Sequence, residues 1–179
     1  MKNTRKLPNW LKRRLPATGN YKNTDSLLDS LGLETICTNA NCPNRGLCFS
    51  RGTATVLILG NVCTRNCKFC SVATGKPEPP DPSEPHRLAE LAQKLALKYL
   101  VITSVDRDDL DDGGAGQFRD CINTVRQRLP HMNFEILTPD FLGRQKHALD
   151  TLADALPFVF AHNVETVPSL YHKARPGAD

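Results

Sequence analysis

Thr53-Ala-Thr-Val-Leu-Ile-Leu59-Gly60-Asn-Val-Cys63-Thr-Arg-Asn-Cys67-Lys-Phe-Cys70 joins an apolar, β-branched run to a tight cysteine triplet. Such a run over 53–59 reads as a strand buried on both faces, as in a parallel sheet. Gly60 ends it, and the triplet follows at once, at the strand's C-terminal end. The spacing Cys-x3-Cys-x2-Cys can direct three thiolates toward one cubane iron–sulfur cluster and leaves the fourth iron open. An open iron binds a small molecule, which makes a cluster a catalyst rather than an electron wire. Zinc usually takes four ligands in paired Cys-x2-Cys knuckles, which this triplet does not provide.

Downstream, 76–85 carries five prolines in ten residues and reads as a rigid linker. Leu88, Leu91, Ala92, Leu95 and Tyr99 share one face of a helix expected over 84–99. A second strand is expected over 100–103 and a Gly-rich turn over 111–116. Phe118, Cys121, Ile122, Val125 and Leu129 stripe a second helix. A strand over 133–137, a helix marked by Leu142, Leu149, Leu152 and Leu156, and a strand over 158–162 complete the series. Alternation of this kind implies an α/β fold with parallel pairing and right-handed crossovers. It fits a doubly wound sheet or part of a (βα) barrel, and in both the functional loops gather at the strand C-terminal ends. The sequence stops at Asp179, just after the fourth strand, and an open parallel edge is a pairing surface; the expectation is a truncated chain.

Upstream, Cys37-Thr-Asn-Ala-Asn-Cys42-Pro-Asn-Arg-Gly-Leu-Cys48 forms a second triplet, Cys-x4-Cys-x5-Cys, in an expected loop over 36–52. It implies a second open cluster with a fourth ligand from elsewhere. Residues 1–35 read as an extended arm plus a short helix carrying Leu27, Leu28, Leu31 and Leu33, capped by Thr24 or Asp25. Seven Lys or Arg and no acid precede Asp25, which suits an acidic partner or simply a solvated basic arm. The seven cysteines are odd in number and no export signal precedes them, against a disulfide scaffold and for a reducing, cytoplasmic setting. Cys121 reads as a small buried hydrophobe. No apolar run of membrane-spanning length occurs, and the Gly-rich turn lacks the Lys of a phosphate loop. Neither membrane nor nucleic acid is an expected partner.

The triplet Cys63, Cys67 and Cys70, with Phe69 directly before its last cysteine, resembles the radical S-adenosylmethionine (SAM) superfamily. The two triplets together, then Ile102-Thr-Ser-Val-Asp-Arg-Asp-Asp-Leu110, Asp112-Gly-Gly-Ala115 and Arg175-Pro-Gly-Ala-Asp179, resemble the lipoyl synthase family, as does Leu7-Pro-Asn-Trp-Leu11. The resemblance implies a partial (βα) barrel of the radical SAM type over 53–179, with its first four strand units, and an N-terminal arm and cysteine-bearing extension over 1–52. It implies two [4Fe–4S] clusters: Cys63, Cys67 and Cys70 hold the one that cleaves SAM, and Cys37, Cys42 and Cys48 hold an auxiliary one that donates sulfur. The substrate implied is an octanoyl group on a lipoyl carrier domain (2-oxoacid dehydrogenase E2 or glycine cleavage H protein), thiolated at carbons six and eight. A reductant such as ferredoxin or flavodoxin is implied too.

SAM contacts are expected from Phe69, Ser104, Asn163, Glu165 and Arg175, with Asn163 and Glu165 toward the ribose and Arg175 toward the carboxylate. Ser104, Asp106, Arg107 and Asp108 either meet the methionine end of SAM or form a polar loop capping the next helix. His162 is the histidine expected to face the site; His86, His131, His147 and His172 read as solvated. The family's C-terminal Arg-Ser-Ser segment, whose serine completes the auxiliary cluster, does not occur in this sequence. That departure predicts a chain inactive on its own. The rival readings are another two-cluster radical SAM enzyme, for methylthiolation or peptide modification, and a non-enzymatic iron–sulfur or zinc module.

Overall fold

The computed structural model describes residues 8, 18–157 and 159–178. The basic Lys12, Arg13 and Arg14, and all of the Leu7–Leu11 motif but Pro8, lie outside the described residues.

Helix α1 (Thr18–Ser30) ends where Gly32 turns left-handed at φ 58° and the Leu33 amide reaches back to the Leu28 carbonyl. Thr24 is therefore no cap. It sits mid-helix and buried, its hydroxyl donating to the Asn20 carbonyl at 3.2 Å and the Phe49 carbonyl at 2.9 Å. The short strand β1 (Glu34–Thr35) leads into helix α2 (Ile36–Asn39), whose Thr38 amide is capped by the Thr35 hydroxyl at 3.2 Å. Helix α3 (Arg45–Ser50) follows, so the loop expected over 36–52 holds two short helices. Tertiary packing accounts for them: Phe49 is fully buried, its ring centroid 5.6 Å from that of Tyr21.

Strand β2 (Thr55–Ile58) is followed by a small parallel clasp, β3 (Val62–Cys63) with β4 (Ala73–Thr74). Helix α4 (Glu84–Lys94) begins with Pro85 in its first turn, where a missing N–H costs nothing. It stops at Lys94, five residues short of the expected end; Ala96 then turns left-handed at φ 48°, and Tyr99 opens strand β5 (Tyr99–Ser104) instead of closing the helix. Helix α5 (Ala115–Arg128), strand β6 (Asn133–Thr138), helix α6 (Gln145–Leu152), strand β7 (Val159–His162) and helix α7 (Tyr171–Ala174) complete the chain, with 3-10 turns at 153–155 and 168–170.

The sheet runs β1-β2-β5-β6-β7, with β1 antiparallel and all later pairs parallel. A doubly wound sheet reverses its strand order at a switch point. Here each parallel strand lies beside its predecessor, and α4 packs on α5 and α5 on α6, so the helices form one layer. That is the progression of a barrel wall. Val56, Leu100, Ile102, Phe134 and Ile136 share the face turned to the helices, and all are buried. On α6, Ala148 and Leu152 are the buried residues, whereas Leu149 and Leu156 of the expected stripe are 50% and 62% exposed. The small Ala148 lets α6 approach α5, and Leu149 lies one helical step off that contact. Cys121 is fully buried, and burial pushes its thiol well above its ordinary range. Among the described residues, no helix is long and apolar enough to cross a membrane.

Candidate active site

Chain direction changes sharply where β2 ends. Leu59 and Gly60 both adopt left-handed backbone, at φ 68° and 85°. For Leu59 that conformation costs about 1–2 kcal/mol, and three neighbours hold it. The buried Glu84 carboxylate accepts its amide at 3.1 Å, and Arg107 Nη1 donates to its carbonyl at 3.2 Å. Gly114 completes the seat, since a Cβ there would stand 2.4 Å from Leu59 Cδ1.

The turn delivers the triplet to the sheet's C-terminal end. Cys63 is buried, Cys67 half-buried and Cys70 exposed. The Cys63 thiol donates to Asp106 Oδ2 at 3.5 Å and accepts the Arg65 amide at 3.4 Å. The Lys68 amide bonds the Ala174 carbonyl at 2.8 Å, tying the loop to α7. Burial, then the nearby Asp106 carboxylate, push the Cys63 thiol up to about 11, and burial raises Cys67 as well. Such thiols ionise when a metal takes the proton's place.

A cavity of about 170 Å³ opens beside the loop, and Cys63, Cys67, Phe69 and Cys70 form one wall. Ser104 from β5, His162 from the end of β7, and Asn163, Glu165 and Arg175 from the segment after β7 form another part of its lining. Phe69, Ser104, Asn163, Glu165 and Arg175 therefore line one space, whereas Arg107 and Asp108 do not. Ser104 Oγ and Arg175 Nε are buried there with no hydrogen-bond partner among the described residues. A buried polar atom without a partner calls for a polar ligand. Arg175 is otherwise held by the Asn163 carbonyl at 2.9 Å and lies over the Tyr171 ring. His162 Nδ1 meets the Thr138 carbonyl at 2.9 Å.

The polar loop after β5 divides its labour. Ser104 and Asp106 face the cavity. Arg107 is buried and paired with Asp109 in a fork of two 2.8 Å bonds, and Asp108 engages Arg65 at 2.7 Å. Asp112 caps α5, accepting the Gly114 and Gly116 amides at 2.8 and 2.6 Å. Arg65 and Asp140 went unread in the sequence. Asp140 sits two residues beyond β6, a strand-end position like those of Ser104 and Asn163, and that rule would have found it.

Cys37, Cys42 and Cys48 do not line this cavity. Cys37 is in the core, and Cys42 and Cys48 pack against it. Among the described residues no three His, Cys, Asp or Glu side chains converge as a single-ion site. The cavity lining supplies Cys63, Cys67 and Cys70 as three thiols, a donor set that suits a cluster with one open iron.

The Radical SAM superfamily model matches residues 57–179. Over 172 residues the chain is 55% identical to a lipoyl synthase of Methylococcus capsulatus, covering 96% of this chain and 53% of that protein. Over 177 residues it is 54% identical to a lipoyl synthase of Pasteurella multocida, covering 97% and 55%. The chain spans about half the length of the curated relatives it matches.

Proposed function

This chain belongs to the radical SAM superfamily, and from that premise we propose that it supplies the SAM-cleaving half of a lipoyl synthase. In this reading the whole protein inserts two sulfur atoms, at carbons six and eight of an octanoyl group on a lipoyl carrier domain. The observation that carries it is a single cavity at the ends of a parallel sheet, walled by Cys63, Cys67 and Cys70 and by the unpartnered Ser104 hydroxyl.

When bound, a [4Fe–4S] cluster supplies an open iron and a low-potential electron, with which SAM yields a hydrogen-abstracting carbon radical. Cys63, Cys67 and Cys70 hold that cluster as thiolates. Ser104 offers its hydroxyl and Arg175 its buried guanidinium to the methionine end of SAM. Asn163 and Glu165 take the ribose hydroxyls, and Phe69, 55% exposed, walls the cavity mouth. Cys37, Cys42 and Cys48 hold a second cluster that serves as the sulfur source. Division of the chain at residue 52/53 follows, with the auxiliary site before it and the SAM site after. The partners are octanoylated carrier domains, and a ferredoxin or flavodoxin as reductant. A net charge of +4 favours docking to acidic carrier domains.

The full-length protein, reconstituted without oxygen, tests the reading by iron, sulfide and SAM-cleavage assays. The expected sample is brown, holds two clusters and releases 5′-deoxyadenosine under reductant. A colourless zinc protein, or iron without SAM cleavage, overturns it.

A further inference from the structure

Arg65, between the first and second cysteines of the cavity loop, has no part in the chemistry above, yet its side chain is only 4% exposed. Its guanidinium forks onto Asp108, Nε to Oδ2 and Nη2 to Oδ1, both at 2.7 Å. It meets Asp140 as squarely, Nη1 to Oδ2 and Nη2 to Oδ1, again at 2.7 Å. Asp106 stands 3.4 Å from Nη1, and Arg175 Nη2 reaches Asp140 at 3.6 Å. Burial opposes the charge, but Asp108, Asp140 and Asp106 outweigh it and hold the guanidinium above its ordinary range.

We propose that Arg65 is a positioning residue that locks the cysteine loop onto the ends of β5 and β6, whether or not the loop carries metal. Asp108 comes from the segment after β5 and Asp140 from the segment after β6, so one side chain of the loop is pinned to two neighbouring strand ends. The pin reaches the sulfur. The Arg65 amide bonds Cys63 Sγ at 3.4 Å, and its carbonyl accepts the Thr74 hydroxyl at 3.1 Å, which couples it to the β3–β4 clasp. Only a planar fork satisfies two carboxylates at once; a lysine in its place presents a single point of charge. A loop held this way does not have to be ordered when the cluster assembles, because its shape is set beforehand. The lock stands on geometry alone. Only its consequence for the cluster rests on the reading of Cys63, Cys67 and Cys70 as ligands.

Hydrogen exchange on the metal-free, full-length protein tests the lock. The Thr64, Lys68 and Gly75 amides bond the Asp106, Ala174 and Cys63 carbonyls at 3.1, 2.8 and 3.0 Å and report on the loop. In Arg65→Met they are expected to exchange at least about tenfold faster, while amides of β5 and β6 keep their rates. Arg65→Lys is expected to leave the loop loosened. After anaerobic loading, the reduced cluster of Arg65→Met is expected to give a broadened electron-paramagnetic-resonance signal and a weakened response to SAM, which loss of general stability would not produce. Loop amides as protected as in the wild type overturn the proposal. Should Arg65→Met unfold throughout, Asp108→Asn decides: loosening confined to the loop supports the lock, whereas an unchanged loop or protection lost across the sheet overturns it. A wild type that loads no iron overturns the cluster reading and leaves exchange to judge the lock alone.

Discussion

Cys63, Cys67 and Cys70 lie on a loop framed by charge, with Arg65, Asp106, Asp108, Asp140 and Arg175 drawn from segments up to 110 residues apart. Cys37, Cys42 and Cys48 sit instead on or beside two short helices framed by apolar packing, under α1 and against Phe49 and the core. The first frame exists only when the sheet is assembled, because its members come from different strand ends. The second is built by neighbours in sequence, between Tyr21 and Leu57, and depends on buried apolar area more than on ion pairs. Two cysteine triplets in one chain are thus held by different forces, and each should be breakable without the other.

Cysteine replacement separates them most sharply. Cys63→Ala is expected to reduce SAM cleavage to background in the full-length protein, since two thiolates do not retain a cubane with one open iron. Cys37→Ala is expected to abolish sulfur insertion while SAM cleavage stays within about twofold of the wild type, as for independent sites. 5′-Deoxyadenosine and thiolated product, measured in the same reaction, give both readouts. Loss of SAM cleavage in Cys37→Ala with the fold intact would merge the two regions into one.

Packing gives the next largest effects. Phe49 is fully buried, stacks near Tyr21 and carries the Arg45 guanidinium 5.1 Å above its ring. Phe49→Ala is expected to cost about 3–5 kcal/mol in urea unfolding, and to release iron from Cys37, Cys42 and Cys48 before Cys63, Cys67 and Cys70. Gly114→Ala works on the other side. At φ 93°, with its new Cβ 2.4 Å from Leu59 Cδ1, it must shift the turn that launches Cys63. An overpacked, strained site of this kind costs about 1–3 kcal/mol. SAM cleavage is expected to fall while Cys37, Cys42 and Cys48 keep their iron; the reverse order of loss would break the comparison.

The same contrast explains what was legible in the sequence. Strand–helix alternation carries the parallel sheet, because buried strands and one-faced helices leave periodic traces. Ser104, Asn163 and Glu165 stand at strand ends, where function gathers, and line one cavity; Arg175 joins them from beyond α7. α2 and α3 were not legible: they are too short for a period, and Phe49 packing decides them. Arg65 and Asp140 are 75 residues apart and carry no spacing that marks a pair. Leu149 and Leu156 show the opposite failure. Their spacing predicts a buried face, but the buried face of α6 centres on Ala148, whose small size gives no hydrophobic signal.

Glu84 offers the finest probe, because it holds the Leu59 turn from beneath without touching the cavity. Its carboxylate accepts the Leu59 amide at 3.1 Å and the Gln117 side-chain amide at 2.7 Å. Burial outweighs both bonds and lifts the carboxyl above its ordinary 4.5. The folded state therefore favours the protonated form. The stability this confers is fully present below pH 4.5 and is lost as pH rises through the lifted value. Asp106, also raised by burial, adds a slope of the same sign. Glu84→Gln keeps a carbonyl for both donors and removes the charge. Its stability is expected to fall less steeply than that of the wild type from pH 4.5 upward, by on the order of 1 kcal/mol or less at neutral pH. Urea midpoints at acid and neutral pH measure the difference. A variant as steep as the wild type would remove Glu84 from the slope and leave it to the other shifted carboxyls, Asp106 among them, and so to the charged frame rather than to the turn beneath.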